Sequence, residues 1–232
     1  YAPNFQEILR ILKSRILGRT VLIQMAYNRF GRRWDWQTLQ EFKGGNLLNT
    51  GPHPVDQALC LLGWNKPELF CQMDRANTYG DAEDHVKILM CKKGLPTVDL
   101  EISSCCAYSV DMFQVYGTRG GLTGGPSGLK WRYYKPGEAP KQKLIRAPLP
   151  GPSYCREELK MHEETWAPTE KQKDSFSYMS NCYYDHIYKV ILRGAPLFIT
   201  PDQVGVQVAV MEECHMMNKL SRLPAKGWTK GT

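Results

Sequence analysis

No run in this 232-residue chain approaches the roughly 20 apolar residues that cross a bilayer, so no membrane span is expected. Tyr1 to Ile11 carries neither a basic start nor a small-residue cleavage site, so it does not read as a signal peptide. There is no Cys-x-x-Cys and no Cys/His spacing that suits zinc, so no structural metal is expected. No Gly-x-Gly-x-x-Gly follows a strand and opens a helix, so the dinucleotide fingerprint is missing. Internal repeats, low-complexity segments and shifts of composition are absent too. Together these gaps leave a single domain over residues 1–232, and they exclude a collagen, a coiled coil and a wholly disordered chain.

What is present suits one sizeable core: 42% of residues are hydrophobic and 23% are charged. The net charge of +7 is spread along the chain. Its densest stretch, Lys130 to Lys143, is broken by Pro136, Glu138 and Pro140, so no nucleic-acid partner is expected. Eight cysteines are present, and several, such as Cys60 and Cys91, lie in apolar stretches. Free cysteine there behaves as a small hydrophobe, which predicts reduced thiols and a cytoplasmic protein.

Apolar residues at Phe5, Ile8, Leu9, Ile11, Leu12 and Ile16 predict a helix over Asn4–Leu17, with Asn4 as N-cap and Gly18 as C-cap. Thr20 to Tyr27 reads as a strand, and Arg29 to Trp36 as a loop. Val55, Ala58, Leu59 and Leu62 share one face of a helix that stops at Gly63. The period then changes to two, which predicts strands at Glu68–Thr78, Asp84–Cys91, Thr97–Ala107 and Met112–Gly117, with Gly94 in a turn. Short connections between them argue for antiparallel pairing. Six glycines between Gly117 and Gly128 read as a glycine-rich turn between strands, and Lys135 to Ser153 as a long loop. Helices at Asp174–Leu192 and Asp202–Leu220 close the chain, with Thr200 as a cap and Pro201 in the first turn.

The sharpest chemical pattern is Asn49, His53 and Asp56. A helix starting near Gly51 or Pro52 places His53 in its first turn, where the positive helix end favours a neutral imidazole suited to accept a proton. Asp56 could cap the helix or orient the ring, and the Asn49 amide could donate to a substrate oxygen. The plainer reading makes His53 a capping or packing residue. A second cluster, Arg29, Arg32, Arg33, Trp34, Asp35 and Trp36, could bind a sugar or an anion through guanidinium bonds and ring stacking. Its plainer reading is a loop whose tryptophans anchor it to the core.

These residues resemble a family. Lys43-Gly44-Gly45-Asn46-Leu47-Leu48-Asn49-Thr50-Gly51-Pro52-His53-Pro54-Val55-Asp56, followed by Leu61-Leu62-Gly63, is similar to the central motif of the Gfo/Idh/MocA oxidoreductases. Pro3-Asn4-Phe5 through Leu17-Gly18 resembles the helix leading out of that family's nucleotide-binding domain. Arg33-Trp34-Asp35-Trp36 resembles its Arg/Trp loop, and Val115 to Leu122 its Gly-Thr-x-Gly strand turn. Tyr183 to Ile191, then Gly194-Ala195-Pro196 and Thr200-Pro201, resembles its closing helices.

The resemblance implies an α+β fold: an open, mostly antiparallel β-sheet with helices packed on one face, like the C-terminal domain of glyceraldehyde-3-phosphate dehydrogenase. It implies the substrate-binding and oligomerisation half of an NAD(P)-dependent oxidoreductase acting on a sugar, inositol or related polyol. The N-terminal nucleotide-binding domain, with the cofactor site and a catalytic lysine, is then absent from this chain. NAD or NADP belongs to the full-length protein and none to this chain alone, which is expected to be inactive in hydride transfer. By the family pattern His53 is the catalytic acid/base, and Asn49, Asp56, Arg33, Trp34 and Trp36 bind the carbohydrate or polyol. Asn49 departs from the Asp that many members carry, which puts a proton relay through that position in doubt. Two alternatives stand beside this: a non-catalytic scaffold or assembly domain, and a relative that uses NAD for glycoside cleavage or epimerisation. A homo-oligomer is expected through the sheet face left without helices, because a broad apolar face is unstable to association.

Overall fold

The structure is a computed structural model and describes residues 1–151 and 154–223. An eight-stranded sheet forms its centre, in the order β2-β3-β4-β1-β5-β6-β7-β8. The strands are β1 (Thr20–Asn28), β2 (Glu68–Asp74), β3 (His85–Cys91), β4 (Thr97–Ser103), β5 (Phe113–Gly117), β6 (Gly120–Gly125), β7 (Gly128–Tyr134) and β8 (Met161–Trp166). β1 pairs with β4 in parallel, and every other pairing is antiparallel. A parallel pair needs a long crossover. Here the crossover contains the Asn46–Asp56 segment, which carries the pattern of chemical interest.

Register puts one apolar row on the inner face. Cys71, Ile88, Leu100, Met25 and Phe113 lie opposite one another across five strands. The next inner row runs Leu69, Met90, Val98, Ile23, Val115, Leu122 and Trp131. Burying each such side chain stabilises the fold by about 1.5–3 kcal/mol.

Three helices cover this face. α1 (Pro3–Ser14) buries Phe5, Ile8 and Ile11. α3 (Pro52–Leu61), entered through the single turn α2 (Asn46–Asn49), buries Val55, Ala58 and Leu59, the face that the spacing predicted. α6 (Pro201–Met217) begins with a Thr200/Gln203 capping box and buries Val210, Met211 and Cys214. α5 (Ser175–Arg193), preceded by the short turn α4 (Glu170–Lys173), behaves differently, because none of its residues is buried. Asp174 caps it and Gly194 ends it, but Phe176, Tyr184, Ile191 and Leu192 remain exposed.

Several expectations need correction. Asn4 is not the cap of α1: Ala2 is, and Asn4 lies buried in the first turn. The helix closes at Arg15, in the left-handed region, rather than at Gly18. The stretch read as a glycine-rich turn is itself strand β6, paired on both sides. Lys135 to Ser153 is irregular apart from a turn at Pro136–Glu138, and Pro152 and Ser153 lie outside the described residues. The eight cysteines are free, but only Cys71 and Cys214 are buried, and Cys91 is exposed.

The outer sheet face is not broadly apolar. Its central row reads Phe70, Leu89, Asp99, Gln24, Gln114, Thr123, Lys130 and Thr165. Lys87 adds ion pairs to Asp99 (2.6 Å) and Glu101 (3.3 Å) on that face. Burial of a broad apolar surface is therefore not what would drive association through this face.

Candidate functional site

The segment Asn46–Asp56 is held from within by Asn46. Its backbone N–H donates to the Glu83 carbonyl at 3.0 Å, and its side-chain amide donates to the Asp84 carbonyl (2.7 Å) and Ser104 Oγ (3.0 Å). These bonds tie α2 to the strand ends beneath it. Gly51 then joins α2 to α3. It has ordinary helical dihedrals, and its need for glycine is spatial: a Cβ there would strike the Leu47 carbonyl.

This frame leaves His53 exposed in the first turn of α3, and Asn49 exposed at the end of α2. Asp56, one turn on, is half-buried, and burial pushes its carboxyl above the ordinary carboxylate range. Among the described residues neither Asp56 nor Asn49 makes a side-chain hydrogen bond to His53. Asp56 does not cap α3 either, since Gly51 is its N-cap and no side chain bonds there.

A cavity of about 300 Å³ lies beside this segment, lined by Tyr27, Asn28, Arg29, Asn46 and Thr50 among others. That is the low end of the size range of small-molecule sites. Tyr27 donates to Gln57 Oε1 at 2.6 Å, and burial raises its hydroxyl pKa, so the phenol stays protonated. The Asn28 amide donates to Glu101 Oε1 at 2.6 Å, while its own Oδ1 is buried and has no partner among the described residues. An orphaned buried acceptor invites a ligand donor. His53 is not among the residues lining this cavity, although Thr50, three residues before it, is.

The Arg/Trp loop is arranged otherwise than a stacking clamp on that cavity. Arg33 is bonded to both oxygens of Asp35 (2.8 and 2.9 Å) and also to Gln37. It lines a separate small crevice with Asn46, Glu83 and Ser104. Trp34 is 77% exposed and Trp36 is 60% exposed, with Trp36 edge-on to Phe42. They do not anchor the loop to the core, which corrects the plainer reading of them. Local patterns gave no sign of Asn46, Tyr27 or Asn28, because each is defined by a partner far away in the chain.

The glycines of β6 and β7 sit in a sheet, not in a strand–turn–helix, so they do not fit a dinucleotide. Among the described residues no group of three or more His, Cys, Asp or Glu could hold a metal ion, and no helix is long and apolar enough to cross a membrane.

Sheet order, crossover and the His53 motif together define the C-terminal domain of an oxidoreductase family. The chain belongs to the GFO/IDH/MocA family: the model of its C-terminal domain matches residues 5–123. No curated protein sequence matches. Among solved structures, the NAD-binding protein from Listeria innocua is similar at TM-score 0.69 and 16% identity, over 96% of this chain and 64% of that one. An oxidoreductase from Bacillus cereus is similar at TM-score 0.67 and 14% identity, over 94% and 62%. GenD2 from gentamicin A biosynthesis, solved in complex with NAD, is similar at TM-score 0.59 and 19% identity, over 97% and 62%. The chain thus spans about three fifths of the length of the structures it matches.

Proposed function

We propose that this chain is the substrate-binding and oligomerisation half of an NAD(P)-dependent oxidoreductase acting on a sugar, inositol or related polyol. The observation that carries this reading is the cavity beside the Asn46–His53 segment, with Asn28, Arg29, Asn46 and Thr50 in its lining. A polyol presents many hydroxyl donors and acceptors, which suit such polar side chains. Neither His53 nor Asn49 lines that cavity; His53 as acid/base at the hydroxyl being oxidised, and Asn49 as a hydrogen-bond partner of a neighbouring oxygen, rest on the family resemblance of the motif. Arg29, Trp34 and Trp36 offer further exposed contacts, and Asp56 and Arg33 position the segment rather than touch substrate. By the family resemblance NAD or NADP is held by another part of the functional protein, and this chain alone is expected to be inactive in hydride transfer.

The test is a titration of the chain with myo-inositol and glucose, followed by amide NMR. Shifts at Thr50 and at the Asn28 side-chain amide, lost in Asn28→Leu, are expected. Silence at both groups through molar ligand would overturn the reading. In parallel, robust turnover with NAD(P) would show that the chain needs no other half.

An assembly role is the second reading, and α5 is what favours it: none of its residues is buried, and Phe176, Tyr184, Ile191 and Leu192 leave aromatic and aliphatic surface exposed along it. Pairing of like subunits through the outer sheet face would be a wet contact, built around Gln24, Asp99, Gln114 and Lys130.

A further inference from the structure

A second and larger cavity, of about 420 Å³, opens on the other side of α2, between that turn, β2 and α6. Met73 and Met211 give it a buried thioether wall, and Leu48 adds to the apolar lining. The side chain that sets its chemistry is Glu83, which is only 4% exposed. Gly45 admits this carboxylate: its φ is +110°, and a Cβ there would collide with both Glu83 oxygens. The buried acid thus explains Gly45 of the central motif, while at Gly44 a Cβ would strike the Gln37 carbonyl instead.

One Glu83 oxygen is bonded: Oε1 accepts the Leu47 N–H at 3.0 Å. The other, Oε2, faces His215 Nε2 at 3.9 Å, too far for a hydrogen bond. The His215 tautomer is set by its other nitrogen. Nδ1 lies 2.9 Å from the Met211 carbonyl, which can only accept, so Nδ1 carries the proton. In the neutral ring Nε2 is therefore an acceptor. Two acceptors face each other across a gap, one on the buried Glu83 and one on the partly exposed His215. Lys43 and Arg222, both exposed, stand at the mouth of the cavity.

We propose that this cavity binds a small molecule with a primary ammonium group and an apolar body, its –NH₃⁺ bridging Glu83 Oε2 and His215 Nε2. An ammonium has three donors and no acceptor, which matches two facing acceptors. The apolar body lies along Met73 and Met211. A ligand with an anion at its far end gains Lys43 and Arg222 as well. Burial holds the Glu83 carboxyl above the ordinary carboxylate range, and a cation beside it favours the ionised form.

Three probes of one chain length separate the parts: pentylamine, 5-aminopentanoate and pentanoate, titrated into the chain by calorimetry, with the Leu47 amide resonance as a local reporter. Pentylamine and 5-aminopentanoate are expected to bind and to move the Leu47 signal, with pentanoate at least tenfold weaker. Glu83→Gln keeps the acceptor for Leu47 and is expected to weaken both amines at least tenfold. Arg222→Ala, on the surface, is expected to bring 5-aminopentanoate down to the level of pentylamine. Val208→Trp, at the exposed rim, blocks entry without touching Glu83 and covers the case in which Glu83→Gln fails to fold. Equal binding of pentanoate and pentylamine, amine binding unchanged in Glu83→Gln, or no Leu47 response to either amine would overturn the assignment. None of these readouts involves Asn28 or His53, so the result is independent of the polyol site.

Discussion

Asn46 and Asn49 stand three residues apart in one motif, and the structure gives them opposite duties. Replacing Asn46 with Ala removes two buried donations, to the Asp84 carbonyl and to Ser104 Oγ. The Asp84 carbonyl keeps one partner, the Ser104 N–H at 2.8 Å, so it is not stranded. The loss is then two bonds of about 1 kcal/mol each plus the cavity of the missing amide, or about 2–3 kcal/mol in all. Asn49 is exposed and makes no side-chain bond among the described residues, so Asn49→Ala should move stability by less than about 0.5 kcal/mol. Urea denaturation followed by circular dichroism measures both. With a slope of about 2–3 kcal/mol/M, Asn46→Ala should lower the midpoint by about 1 M with the slope unchanged. Equal midpoints for the two variants would refute the claim that Asn46 is the pin between the crossover and the sheet.

Three further outcomes follow from the same geometry. Leu100→Ala, at the fully buried centre of β4, should cost about 2–5 kcal/mol in urea denaturation, whereas Val21→Thr, at an exposed position near the start of β1, should cost under about 0.5 kcal/mol. Glu83 keeps its proton to higher pH when folded than when unfolded, so above the ordinary glutamate value of about 4.3 the unfolded chain binds fewer protons and stability falls as pH rises. Urea midpoints at pH 5 and 7 should show that fall in the wild type and a smaller one in Glu83→Gln; an unchanged slope would refute it. Light scattering at micromolar concentration should give a dimer or a larger symmetric species, and Ile191→Glu with Tyr184→Glu should shift it toward monomer if α5 is the contact, whereas Gln114→Arg with Gln24→Arg should do so if the sheet face is.

The parts of the fold that sequence made legible are those with a short repeat. α3 showed itself through Val55, Ala58, Leu59 and Leu62, and β3 and β4 through their alternation, because burial on one face imposes a period that a few residues suffice to read. β6 and β8 were illegible for two different physical reasons. Gly120–Gly125 is mostly glycine and carries almost no side-chain pattern. Met161–Trp166 is an edge strand with most of its side chains exposed, so no alternation was imposed on it. The site divides in the same way. His53 and Asn49 stood out because their spacing is local. Asn46, by contrast, finds its partners 38 and 58 residues away, and Asn28 finds Glu101 at a distance of 73 residues. No local window contains such pairs.

One distinction runs through every polar group near the Asn46–Asp56 crossover: some are already bonded, and some are open. Asn46, Arg33 and the Tyr27 hydroxyl are bonded to protein atoms, and removing any of them disturbs the frame. The exposed His53 ring, Asn28 Oδ1 and Glu83 Oε2 have no hydrogen bond to the protein among the described residues, and Asn28 Oδ1 is buried, where an unbonded polar atom costs about 1–3 kcal/mol. A fold under selection for stability alone would have paired these atoms or replaced them with apolar ones, since replacement of buried polar pairs by apolar groups is often neutral or better. That Asn28 and Glu83 line two cavities, on opposite sides of the same short turn α2, is the physical reason to look for ligands at both.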